Sequence, residues 1–255
     1  MSSADADLIV DLDAGGRLAS LRVGGHELLV TAGRSPVEWG FYPMAPYAGR
    51  VRDGRFTFQG ERYELPREDD GHALHGTVYL REWEQDGDTT FVTDLGPSWP
   101  FPGYVRHEIR LSDHSVELRL EVHTTEGPMP ASCGWHPWFR RHIAGARAQL
   151  DFRPGFMLRR DEHGIATRDP ATVPEGPWDD CFGGVEAAPT LQWPGYVRLS
   201  LAADSPWWVV YDERDHALCL EPQTAPPDTL NHDPFIVKPG DPLVASARLQ
   251  WTQEN

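Results

Sequence analysis

The sequence predicts an all-β protein, one large antiparallel domain over residues 1–255, and three observations carry that prediction. Chain-breaking residues are dense and spread along the whole length, with 24 glycines and 23 prolines among 255 residues, so long helices have almost nowhere to form. Apolar and polar residues alternate with a period of two in many short segments, the pattern of a strand with one buried face. No segment sustains the 3.6-residue period of an amphipathic helix, and no composition break marks a linker. Hydrophobic residues make up 40% of the chain and include 10 tryptophans, enough for a large core and too many for a disordered chain. All-β folds reach this length undivided.

The strands follow in order. Leu21 and Val23 run into Gly24-Gly25 and resume at Leu28 and Val30, a hairpin signature. Phe56 and Phe58 pass Gly60 toward Tyr63 and Leu65 in the same way. The clearest pair joins Val105, Ile109 and Leu111, a turn from Ser112 to Ser115, and then Val116, Leu118, Leu120 and Val122, with Glu117, Arg119 and Glu121 between them. Further strands are expected at Val197 to Leu201, Trp207 to Tyr211, Ala217 to Leu220 and Ala245 to Trp251. The segments 66–78, 127–142, 170–184 and 221–242 are rich in Gly and Pro and read as loops, where chemistry most naturally sits.

The formal net charge of −16 argues against nucleic acid or an anionic membrane as partner, since both require a cationic surface. The opening MSSADADLIV lacks the basic and apolar regions of a signal peptide, and no stretch approaches the roughly 20 apolar residues of a membrane span. A soluble, cytoplasmic protein is expected. Cys133, Cys181 and Cys219 are odd in number and lack metal spacing, so they read as reduced thiols in the core or lining a site.

Common catalytic strings, GxGxxG, the Walker loop, GxSxG and HExxH, do not occur. His72 and His75 in GHALHG stand three apart, but the flanking glycines oppose a helix that would align them for a metal. Each is either structural or a donor to a polar ligand. His136 in CGWHPWF is crowded by aromatic residues; it is either a satisfied core histidine or a general acid beside a sugar ring. Glu221 in CLEPQTAPPD ends an apolar strand. There it is either a solvated carboxylate or a partly buried one with the raised pKa of a useful base.

PYAGRVRDGRF at 46–56, HALHG at 72–76, GWHPWF at 134–139, WDDCF at 178–182 and CLEPQTAPPD at 219–228 occur in this order. Together they resemble the aldose 1-epimerases, or galactose mutarotases, over about residues 8–252. The resemblance implies a large antiparallel β-sandwich and the interconversion of the α and β anomers of a free aldose by ring opening and closure. It implies Glu221 as the base on the anomeric hydroxyl and His136 as the acid on the ring oxygen. His75 would hydrogen-bond the sugar, and Arg50 would bind sugar hydroxyls or anchor the catalytic Glu221. Asp179 matches an aspartate that grips a sugar hydroxyl, with adjacent Asp180 as the alternative register. Trp138, with Trp135 and Phe182, is expected to wall the ring on its aromatic character more than on the resemblance, and His72 stands where an Asn often precedes the AxHG string. No metal or organic cofactor is implied, and the partner is a small sugar, with monomer and homodimer both open. Gly49 replaces the family's usual Asn before Arg50. Three other readings stand beside this one. They are a non-catalytic carbohydrate-binding or regulatory sandwich, a hexose-6-phosphate mutarotase using Arg50, Arg52 and Arg55 on the phosphate, and a glycoside hydrolase pairing Glu221 with Asp179 or Asp180.

Overall fold

A computed structural model describes residues 1–254. Strands dominate it, and the helical segments among the described residues are four short 3-10 turns. No helix among them is long and apolar enough to cross a membrane.

The hairpins form where alternation and turn residues require them. Gly103–Leu111 pairs along its length with Ser115–Thr124, and the Ser112 N–H donates to the Ser115 carbonyl at 2.8 Å. Gly24 and Gly25 (φ +55° and +83°) close Arg17–Val23 onto His26–Glu27. Gln59 and Gly60 (φ +51° and +86°) close Arg55–Phe58 onto Glu61–Glu64. Left-handed conformation at both central residues matches the right-handed twist of the flanking strands.

Two antiparallel sheets make the sandwich. The larger, ten-stranded sheet runs in the order Ala6–Asp11, Arg17–Val23, Phe41–Met44, Gly134–Arg140, Ala217–Gln223, Trp207–Tyr211, Asp179–Gly183, Phe156–Arg160, Ala166–Ala171, with His26–Glu27 paired to the second strand. The eight-stranded sheet is centred on Val197–Ala203, Leu243–Gln253, Ser115–Thr124 and Gly103–Leu111. One buried cluster joins them, drawing Phe41, Trp135 and Leu220 from the first sheet and Ile109, Leu120 and Trp251 from the second.

Two segments read as loops contain strands of the larger sheet, Gly134–Arg140 and Asp179–Gly183, and the strand expected at Ala217 to Leu220 continues through Gln223 into a third such segment. Pro43, Pro137 and Pro222 lie within inner strands here. Each proline withholds one ladder N–H, but the alternation of side chains between faces continues through it, and that alternation builds the site.

The inner face of the larger sheet takes Phe41, Trp135, Phe139, Phe182, Trp208, Val210, Leu218 and Leu220 into the shared core. Their neighbours in sequence turn to the other face. Tyr42, Met44, Trp138, Ala217 and Cys219 form a second buried cluster there, and Leu158, Ala166 and Cys181 a third. A sheet covered on both faces by apolar side chains leaves room for polar groups only where the cover opens.

Candidate active site

The cover opens over the middle of the outer face, above a cavity of about 280 Å³ lined by His75, His136, Trp138, Asp179, Asp180, Cys181, Glu221, Gln223 and Arg50, among others. That volume is near the low end of small-molecule sites, about 300 Å³, and suits one small ring. The register Gly134↔Gln223 and Trp138↔Cys219 sets His136 directly opposite Glu221 on the neighbouring strand. Their side chains meet, with Nε2 of His136 3.3 Å from Oε1 of Glu221, and the two residues are 5% and 2% exposed. The other carboxyl oxygen of Glu221 accepts a hydrogen bond from the Gln223 amide at 3.3 Å. Gln223 is two residues further on the same strand and so on the same face.

His136 is packed by aromatic rings. Tyr42, its cross-strand partner, stacks on the imidazole at 4.9 Å, and Trp138 stacks on it at 5.4 Å. His75 meets it edge-on at 4.9 Å. His75 arrives from a ribbon laid over the sheet, in which Arg50–Val51 pairs with Ala73–Leu74. Its backbone is left-handed, φ +57°, held by an N–H to the Gly49 carbonyl at 3.0 Å. A non-glycine residue in that region stores strain of order 1 kcal/mol, a feature concentrated at functional sites. Gly49 itself has φ +71°, a region where Gly and Asn are the residues best tolerated. The Asp228 N–H donates to the Arg50 carbonyl and the Arg52 N–H to the Asp228 carboxylate, which ties this ribbon to the loop after Glu221. Arg50 also binds Asp70 through Nε at 2.8 Å.

Asp179 and Asp180 both line the cavity and share Arg160, whose Nη1 is 3.4 Å from Asp179 and whose Nε is 3.0 Å from Asp180. Asp179 pairs across from Tyr211 and shares the outer face with Cys181.

Five residues expected at the site lie elsewhere. His72 does not line the cavity; its Nδ1 accepts the Asp53 N–H at 3.0 Å, a structural role in the turn. Trp135 and Phe182 stand one residue out of step with His136 and Cys181, so the pleat sends them into the shared core. Trp135 spends its Nε1–H on His107 at 3.1 Å. Arg52 and Arg55 line a separate cavity, where Arg52 pairs with Asp161, and Arg55 pairs with Glu64. Tyr42, Gln223 and Arg160 were missed. Period-two alternation from His136 and Glu221 marks Gln223 in sequence, whereas Tyr42 and Arg160 depend on strand pairing.

Burial governs the electrostatics. Desolvation pushes the Glu221 carboxyl well above the usual carboxylate range, Asp179 adds to that, and the Gln223 amide and Arg50 oppose it. Desolvation pushes the His136 imidazole well below its ordinary value, with the Arg17 cation acting the same way. His75 is lowered by burial first, then by His136 and Arg50. Low dielectric disfavours both charged forms, which favours the neutral carboxyl–imidazole form of the Glu221–His136 pair over the ion pair. Such a pair titrates as a unit.

His136, Cys219 and Glu221 also offer three metal-type donors within 4.8 Å of one another. A tetrahedral site with ligands about 2.0–2.3 Å from the ion needs edges of roughly 3.3–3.8 Å, and burial holds the Cys219 thiol well above its ordinary pKa. The donor set is better matched to moving a proton.

The site is thus a buried carboxyl–imidazole pair on the floor of a small cavity in an antiparallel sandwich. The aldose 1-epimerase family model matches residues 9–250, and the chain belongs to that family. Uncharacterized protein YphB of Escherichia coli (strain K12) is 25% identical over 246 residues, covering 82% of this chain and 83% of that protein. A galactose mutarotase-like protein from Clostridium acetobutylicum superposes with a TM-score of 0.85 at 16% identity, over 99% of this chain and 94% of that one. Galactose 1-epimerase from Lactobacillus acidophilus NCFM superposes with a TM-score of 0.81 at 16% identity, over 100% and 93%.

Proposed function

We propose that the protein is a mutarotase acting on a free, unphosphorylated aldose, with Glu221 and His136 as the catalytic residues. The observation that carries this reading is the sealed 3.3 Å contact between a carboxyl and an imidazole on the floor of a one-ring cavity. In the ring-opening form the pair's single proton is on His136. Glu221 takes the proton of the anomeric hydroxyl, the C1–O5 bond breaks as the C1 carbonyl forms, and His136 delivers its proton to O5. C1–C2 rotation presents the other carbonyl face. Closure reverses the transfers: His136 takes the O5 proton as O5 attacks C1, and Glu221 returns a proton to O1. The neutral pair favoured by burial is the form left after opening, the one that closes the ring. Proton movement between Glu221 and His136 regenerates the other form.

Around the ring, His75, Arg50 and Asp179 or Asp180 supply hydrogen bonds, and Trp138 offers an apolar face. Arg52 and Arg55 line a different cavity and are paired with carboxylates, which supports a substrate without phosphate. The experiment is polarimetry on freshly dissolved α anomers of a panel of aldoses, glucose and galactose first. Acceleration by the wild type on at least one is expected; acceleration on none overturns the reading.

A further inference from the structure

His136 is held mainly by rings. Its buried Nδ1 has no hydrogen-bond partner, and the imidazole is sandwiched in the stack with Tyr42 and Trp138. Both of those rings are tethered at their polar ends to a single acceptor: Tyr42 Oη donates to the Val37 carbonyl at 3.2 Å, and Trp138 Nε1 donates to it at 2.8 Å. Whatever fixes Val37 therefore fixes the ring stack around His136.

Val37 is the middle residue of the 3-10 turn Pro36–Glu38, which has no side-chain cap and no buried residue of its own. Its two ends are gripped by Arg17, whose Nη1 donates to the carbonyls of Pro36 and Trp39, both at 2.8 Å. Nε donates to the Ala14 carbonyl at 2.5 Å and Nη2 to that of Tyr79 at 3.4 Å. The guanidinium lies over Trp39 at 4.2 Å and over Tyr42 at 5.3 Å. Arg17 is 1% exposed, and none of these acceptors is a carboxylate. Burying a cation without an anion is costly. Only arginine's planar fork can spread that charge over several carbonyls at fixed angles.

We propose that Arg17 is the positioning residue of the proton-transfer pair: through the Pro36–Trp39 turn it sets the Tyr42 and Trp138 rings, and through them the imidazole of His136. This rests on the mutarotase reading for its kinetic consequences, and on geometry alone for its effect on His136. Charged and titratable groups face His136 from every neighbouring element: Glu221 and Cys219 from Ala217–Gln223, His75 from the covering ribbon, Tyr42 from Phe41–Met44, and Arg17 behind Tyr42.

The test combines mutarotation kinetics with 15N NMR of the His136 ring, assigned by its loss in His136→Gln. Arg17→Lys keeps the charge and loses the fork. It is expected to lower kcat about tenfold with a smaller change in KM, because Trp138 is the one sugar-facing group tethered to the turn that Arg17 holds, and to shift the ring signals without moving their titration. Arg17→Gln is expected to lower kcat similarly and also to move the His136 titration upward, since a nearby cation is gone. Folded Arg17 variants with wild-type kcat and unchanged ring signals overturn the proposal. Should the Arg17 variants not fold, Tyr42→Phe removes one tether while keeping the ring. A lower kcat and altered ring signals support the proposal, and wild-type values for both overturn it. A wild type that turns over no aldose defeats the mutarotase reading alone; the ring signals then decide the role of Arg17, altered shifts upholding it and unaltered ones ending it.

Discussion

His136 and Glu221 face each other across neighbouring strands with Nε2 and Oε1 3.3 Å apart, both almost sealed from solvent. Each is the other's nearest titratable group, so their ionisation is a property of the pair and not of either side chain alone.

The first prediction concerns pH. Burial raises Glu221 and lowers His136, so both groups are moved out of the range where an ordinary carboxylate or imidazole titrates. The kcat/KM profile, which reports the free enzyme, is expected to show no inflection from this pair between about pH 4.3 and 6.5, where an ordinary carboxylate and imidazole titrate. An inflection near 6.5 that disappears in His136→Gln would show an imidazole titrating as if exposed.

The second separates the two tryptophans of GWHPWF. Trp138 lines the cavity, and Trp135 lies in the core with its N–H on His107. Trp135→Phe is expected to cost about 1–3 kcal/mol in urea unfolding, from lost volume and an orphaned acceptor, with sugar KM within about twofold. Trp138→Phe also loses buried volume and a hydrogen bond, so it is expected to cost a similar amount of stability, but it alone lowers kcat/KM several-fold. The opposite pattern would mean that the pleat assignment is wrong.

These two residues also mark how far the sequence is legible. The antiparallel strands are readable because alternation and Gly-Gly or Gln-Gly turns are local signals. Arg50, His75, His136, Trp138, Asp179, Asp180 and Glu221 are readable as a set because their strings occur in a recognisable order, and all of them line one cavity. Trp135 and Phe182 were assigned to the wall on chemical type alone, and period-two parity from His136 and Cys181 sends both to the core. Prolines at 43, 137 and 222 hid inner strands, because proline ordinarily marks a loop. Arg17 and Tyr42 carried no sequence signal. Their roles depend on contacts with Trp39 and His136 that only the pairing of Arg17–Val23, Phe41–Met44 and Gly134–Arg140 creates. His72 belongs to the same group, since its partner is a backbone N–H in a turn.

The third prediction is acid lability. Burial lowers the His107 pKa from 6.5 to about 3, so its contribution to stability is present above 6.5 and is lost as pH falls through about 3. Across that window the unfolded chain binds a proton that the folded chain refuses, costing up to about 1.4 kcal/mol per pH unit. His107→Gln retains an acceptor for the Trp135 N–H and cannot titrate. Urea unfolding between pH 7 and 4 is expected to show a slope shallower by about one proton in the variant; equal slopes would refute the assignment.

The fourth concerns Gly49. A Cβ there would stand 2.8 Å from Cγ of Pro227, on a backbone with φ +71°. Gly49→Ala is expected to destabilise by about 1–3 kcal/mol, and Pro227→Gly in the same chain to recover part of that loss. A coupling energy of about 0.5 kcal/mol or more in the double-mutant cycle is expected, and strict additivity would show that the two residues do not crowd each other.

The central claim is that Glu221 and His136 exchange protons with a bound aldose. Two-dimensional NMR exchange spectroscopy on an equilibrated aldose measures the α-to-β rate directly, without a fresh anomer or a coupled enzyme. With the best substrate from the panel, wild-type protein is expected to produce exchange cross-peaks, while Glu221→Gln and His136→Gln each lower the rate by about 10²–10⁴-fold with the fold intact. Folded variants that exchange the anomers as fast as the wild type would contradict the account.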